Sequence, residues 1–167
     1  MPESGPLPLT IIGDSGPLIA LTIIGQLDLL HRLYRRVVIP QSVWEEITVQ
    51  DAGMPGSHEV SQANWLEIRH AEATSLSTLN ILVDRGEAEA IALAMELPGS
   101  TVLLDDAQAR RVAERFGVDR IGTLGILRRA KKAGLIGPLK PYIDRLQANG
   151  IYLRQALIDA VLRDVGE

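Results

Sequence analysis

Four short stretches of the chain each carry an acid where an apolar run ends or a helix begins. Asp14 closes LTIIGD, Glu46 lies in the helical stretch after VVIP, Glu87 opens GEAEAIALA, and Asp105 and Asp106 close TVLLDD. In a parallel α/β domain the carboxyl ends of strands and the first turns of helices meet at one edge of the sheet, where ligands bind. Acids gathered there repel one another unless a cation lies between them, and hard oxygen donors select a hard ion such as Mg²⁺ or Mn²⁺. The chemistry expected of such a site is metal-assisted hydrolysis of a phosphodiester. One or two ions held by Asp14, Glu46, Glu87 and one of Asp105 and Asp106 would offset charge on the transferring group and activate a water.

Each acid also has a plainer reading. Asp14 sits where a helix N-cap would, and capping and strand-end ligation stand level for it until the preceding strand is weighed. Glu45 and Glu46 are neighbours on a helix, so only one faces inward; Glu46, three residues after Val43 and next to Ile47, borders the apolar side. A lone helix Glu is by default a solvated one. Glu87 and Glu89 open a helix, where the macrodipole favours acids whatever their role. Of Asp105 and Asp106, one is expected to cap the helix that follows, leaving the other free at the strand end. Around these acids, Ser15, Arg110, Thr123, Arg128 and Lys131 are candidates to meet a phosphate or a ligand water. The alternatives are a cap for Ser15 and Thr123, a pairing with the acids for Arg110, and a solvated helix face for the cluster Arg128, Arg129, Lys131 and Lys132.

The elements that must position these groups alternate short β-branched runs with helical stretches, the pattern of a parallel sheet flanked by helices. Strands are expected at Leu9–Gly13, Arg36–Ile39, Trp65–Arg69, Thr101–Leu104 and Val118–Gly122. Helices are expected over Leu18–Leu33 with a break near Gly25, from Pro40 to about Val49, over Gly86–Leu97, Ala107–Phe116 and Thr123–Ala133, and finally over Pro138–Gln147 and Leu153–Val165. Gln50–Gln62 reads as a loop with room for one helical turn, and Glu72–Thr78 as another loop. The fold class is therefore α/β, three layers α/β/α around a central, mostly parallel sheet of Rossmann-like type. Residues 9–136 form the main domain, and 137–167 a helical extension packed on it.

Composition narrows the function classes. The 167 residues are 46% hydrophobic but only 4% aromatic, so the core is aliphatic. There is no cysteine, which excludes disulfides, thiol nucleophiles and zinc-thiolate sites, and fits a reducing cytoplasm. The first residues lack the basic and apolar regions of a signal peptide, and no apolar run is long enough to span a membrane. A net charge of −4 argues against broad, non-specific nucleic-acid binding, although a bound divalent ion would cancel part of an acidic site's charge. His31, His58 and His70 share no ligand spacing. Ser15 has no GxSxG context, and the glycines form no dinucleotide or P-loop fingerprint. An α/β phosphatase of the DxD kind is disfavoured because the second position after Asp14 is Gly16.

Taken in order, DSGPLIAL with IGQLDLL, VVIPQSVWEEI, GEAEAIALA, VLLDDAQARRVAERFGV and IGTLGILRRAKKAGLI resemble the PIN-domain nucleases, which include VapC-type toxins of bacterial toxin–antitoxin pairs. By that resemblance Asp14, Glu46, Glu87 and Asp106 (or Asp105) match the family's four acids. The third is often Asp, and here a longer Glu. The resemblance implies a metal-dependent ribonuclease, an RNA substrate, an antitoxin partner and a homodimer. Its alternative is a PIN-like module without activity that acts through a protein partner.

Overall fold

The computed structural model describes residues 10–167, and for residues 73–75 the backbone alone. Leu9 and the N-terminal reading lie outside the described residues. Five strands form one sheet: β1 (Thr10–Gly13), β2 (Arg36–Pro40), β3 (Leu66–Arg69), β4 (Ser100–Leu103) and β5 (Asp119–Ile121). Their spatial order is β3-β2-β1-β4-β5 and every pairing is parallel, so the sheet is wholly and not merely mostly parallel. The chain builds outward from β1 to β3, then crosses back to lay β4 on the other side of β1. The strand order thus reverses between β1 and β4, the place where open α/β sheets leave a crevice at their carboxyl ends.

The helices are α1 (Ser15–Ile23), α2 (Leu29–Leu33), α3 (Gln41–Glu45), α4 (Ser57–Gln62), α5 (Ala73–Leu82), α6 (Arg85–Glu96), α7 (Ala107–Arg115), α8 (Thr123–Lys132), α9 (Lys140–Ala148) and α10 (Gln155–Asp164). Successive strand side chains point to opposite faces, and the core divides accordingly. Ile11, Val37, Ile39 and Leu103 pack against α1, α2, α3 and α8 to α10. Ile12, Val38, Val102 and Leu104 pack against α5, α6 and α7. This makes the three layers. Leu139, Ile143, Leu146, Ile158 and Val161 of the C-terminal stretch are buried in the first of these cores.

Three local expectations are corrected. Glu72–Thr78 is not a loop: α5 begins at Ala73 and buries Leu79 against the second core. The helix after β1 begins at Ser15 rather than Leu18, so Asp14 is its N-cap residue. The helix after Pro40 changes character at Glu46, where α3 widens into a π-helical turn over Glu46–Gln50. Among the described residues no helix is long and apolar enough to cross a membrane.

Candidate active site

Asp14 follows β1 directly, and its backbone N–H donates to Leu103 O of β4 at 3.3 Å, which sets it at the reversal of strand order. It occupies the N-cap position of α1 with extended backbone, φ −90° and ψ 162°, yet its side chain makes no capping bond. The carboxylate is only 7% exposed. Burial, and after it the fields of Glu87, Asp84 and Glu46, push its pKa up to about 8 against the pull of the Ser15 N–H. Among the described residues no Lys, Arg or His forms an ion pair with Asp14, Glu46, Asp84, Glu87 or Asp106.

Glu87 enters from the first turn of α6. It forms a capping box with Asp84: the Glu87 N–H donates to Asp84 Oδ1 at 2.9 Å, and the Asp84 N–H to Glu87 Oε2 at 3.2 Å. Burial, with the nearby Asp84, Asp106 and Glu46, raises Glu87 to about 7, the Asp84 N–H opposing. The turn can press against Asp14 because residue 86 is glycine. A Cβ there would lie 3.1 Å from Val43 Cγ2 and 3.3 Å from Asp14 Oδ1.

Glu46 is the first residue of the π-helical turn and is half-buried. Burial raises its pKa, the Ser15 hydroxyl draws it down, and Asp84 and Asp51 raise it again. Glu45 is spent elsewhere, accepting a bond from Gln41 Nε2 at 2.9 Å. The two adjacent glutamates therefore separate as the helix geometry requires.

The aspartate doublet departs from expectation in one respect: one member caps the next helix, but the other is not left free at the strand end. Asp106 caps α7, with Oδ1 accepting from the Ala109 N–H at 2.8 Å, and its field reaches Glu87. Asp105 gives both oxygens to Thr123, taking the N–H at 2.8 Å and the hydroxyl at 2.5 Å. Asp105 thus serves as the N-cap of α8 from a neighbouring loop, where Gly122 has no side chain to offer. Thr123 is fully buried, and its hydroxyl is committed to Asp105 rather than to a ligand water.

Of the basic candidates, Arg110 lies beside this doublet, donating from Nη1 to Leu104 O at 3.0 Å. Arg128 and Lys131 do not join the acids. They occupy the latter part of α8, where Arg128 pairs with Asp164 and Lys131 with Glu167 at 2.7 Å. Lys132 also meets Asp164, and Arg129 donates to Tyr34 Oη. The basic cluster ties α8 to the end of the chain. His31 stacks on Trp65 with ring centroids 5.2 Å apart, and the exposed His70 lies 3.8 Å from Glu89.

Asp84 escaped the reading of the sequence, and Glu89, read there only as an acid favoured at a helix start, has a structural partner of its own. Asp84 belongs to the acidic group, and its signal was present as D-x-x-E, a capping box three residues ahead of Glu87. Glu89 is buried and accepts from both the Ser42 N–H and hydroxyl. It supplies the cap of α3 that Pro40 cannot, and so braces the helix leading to Glu46.

The donor set fits a hard divalent ion: carboxylates from four segments without a cationic partner, of which Asp14, Glu46 and Glu87 are raised in pKa by burial first and by neighbouring acids after it. Among the described residues, no three such side chains yet converge as ligands of one ion. No curated protein matches the chain. A protein-family model described as a PIN domain matches residues 10–167. That match runs through every strand and every acid described above, and the chain belongs to the PIN-domain family.

Proposed function

We propose that the protein is an endoribonuclease that hydrolyses RNA phosphodiester bonds with one or two Mg²⁺ or Mn²⁺ ions held by Asp14, Glu46, Glu87 and Asp106. PIN domains are usually nucleases and generally use divalent metals, which supports a hydrolase. The observation that carries the reading is the Asp14 carboxylate: buried, capping nothing, without a cationic partner, and surrounded by further acids. A bare acid in that position costs stability unless a cation accompanies it.

A bound ion would neutralise charge on the phosphoryl group and lower the pKa of a ligand water. The remaining work falls to the chain itself. Ser15 orients Glu46, the capping box fixes Glu87 and leaves Asp84 Oδ2 free as a further donor, and Arg110 stands beside Asp105 to meet a phosphate. Asp105 is a positioning residue, since it holds the start of α8. A place in a toxin–antitoxin pair, in the cytoplasm and as a homodimer, accords with the resemblance. A small companion gene next to this one would support it.

Incubation with a circular single-stranded RNA and Mn²⁺ tests the reading, because only an endonuclease opens a circle. Linear products are expected. Intact circles alongside tight divalent binding would instead favour a module that acts through a protein partner.

A further inference from the structure

A cleft of about 890 Å³ opens from Asp105 and Asp106 towards the β5 edge of the sheet, walled by α7, the β5–α8 junction and the segment Tyr152–Leu157. Four arginines line it: Arg110, Arg111, Arg120 and Arg154. Its acids are largely engaged. Asp105 is held by Thr123, and Glu114 takes a bond from Arg120 Nη2 at 3.2 Å. The arginines keep unused donors. Arg120 Nε is buried with no hydrogen-bond partner, and Arg110, Arg111 and Arg154 have no ion-pair partner among the described residues. Burial lowers the pKa of Arg110, and the like charges of Arg120 and Arg154 lower it further. At the mouth, Tyr152 is 85% exposed and Leu157 42%, so an aromatic face stands open beside the guanidinium groups.

Crowded, under-bonded arginines mark a place made for an anion, since guanidinium forks match phosphate oxygens in pairs. An open aromatic face beside phosphate-binding groups suits a nucleobase, because every base offers a π-face. We propose that this cleft is a subsite for a single-stranded nucleic acid: Arg120 and Arg154, with Arg110 at the inner end, hold backbone phosphate next to the scissile one, and Tyr152 stacks on a base. The identity of the strand rests on the ribonuclease reading. Asp106 lines the cleft and also reaches Glu87 with its field, so a strand lying here leads straight onto the carboxylates. An acidic peptide would use the arginines but would leave Tyr152 without a base.

The test uses the full-length Asp14→Asn protein in chelator, so that neither metal nor cleavage enters. Binding of a short fluorescein-labelled single-stranded RNA is followed by anisotropy over a range of salt. Arg154→Ala and Arg120→Gln are each expected to weaken binding about five- to tenfold and to lower the salt slope by about 0.7, the value for one lost phosphate contact on a single strand. Tyr152→Ala should weaken binding comparably and leave the slope unchanged. Lys140→Ala, which removes an exposed charge from α9, should alter neither. Arg154 and Tyr152 are exposed, so those two variants report even if Arg120→Gln folds poorly. Equal affinities in Arg154→Ala, Tyr152→Ala and Lys140→Ala would overturn the proposal, as would absence of RNA binding by the parent at low salt. An Asp/Glu-rich peptide that binds more tightly than RNA, and is lost in the same variants, would overturn it in favour of a protein partner. If the wild type cuts no RNA yet this binding pattern holds, the ribonuclease reading fails and the subsite stands.

Discussion

An aspartate at an N-cap that caps nothing is the informative residue of this chain. Asn caps helices about as well as Asp, so Asp14→Asn tests charge apart from shape. We expect it to abolish cleavage while raising the Tm of the metal-free protein near neutral pH or above, by about 2–4 °C for each ~1 kcal/mol of relieved ionisation cost. An unchanged or lower Tm in thermal unfolding would show that the buried carboxylate is not a burden. The doublets make a second prediction. Asp106→Asn keeps the cap of α7 and should lose divalent-ion affinity with little change in stability. Asp105→Asn puts an N–H₂ where Thr123 donates, and should cost about 1–3 kcal/mol of stability. Its metal affinity, read by calorimetry, should fall less than that of Asp106→Asn. Asp14, Glu46, Glu87 and the doublet are legible because they follow an apolar run or stand in the first turns of a helix, whereas Asp84 is not. Cap and ligand could not be told apart within the doublet, since the distinction lies in which carboxylate meets the α7 N–H groups and which meets Thr123, and Thr123 comes from another segment.

At the scale of elements, the start of α6 sets the site, and Gly86 sets how closely it approaches β1 and α3. In Gly86→Ala, the gain of about 0.5–1 kcal/mol from leaving glycine in a helix opposes an overpacking cost of about 1–3 kcal/mol. Stability should fall by between about 0 and 2.5 kcal/mol, while Asp14 and Glu87 are pushed apart and divalent affinity falls several-fold. Undiminished affinity in a folded Gly86→Ala protein would separate α6 from the site. The strands and most helices followed from their apolar runs and glycine stops. α5 did not: ATSLSTLNIL is rich in Ser and Thr, and its burial rests on Leu79, with Leu76 and Leu82 only partly covered. The π-helical turn at Glu46 has no sequence signature either. It is imposed by packing, and such turns recur at functional sites.

Over the whole molecule the site should appear as a dependence of stability on pH and metal. Asp14 and Glu87 titrate higher in the folded protein, at about 8 and about 7, than as unfolded carboxylic acids. The folded state therefore holds protons that the unfolded state has released. The stability these groups contribute is present below pH about 4 and is lost as pH rises through about 7 to 8. Metal-free protein should lose Tm over that window, and Mg²⁺ should raise Tm more at pH about 8 than at pH about 6, since a ligand binding only the folded state stabilises it by about 2.7 kcal/mol at a hundred times its Kd. A metal-induced shift that shrinks with rising pH would contradict this. The C-terminal stretch belongs to the same unit by packing, because α9 and α10 bury Ile143, Leu146, Ile158 and Val161 and meet α8 through ion pairs to Asp164 and Glu167. A chain ending at residue 136 should not unfold cooperatively in calorimetry. The central claim, that the acidic cluster cuts RNA through a divalent ion, is met most directly by cleavage of labelled single-stranded RNA after chelation and graded return of Mn²⁺, for the wild type and Asp14→Asn side by side. Wild-type activity should vanish on chelation and return with the ion, and Asp14→Asn should show none at any concentration. Cleavage that survives chelation, or that persists at wild-type level in the folded Asn variant, would contradict it.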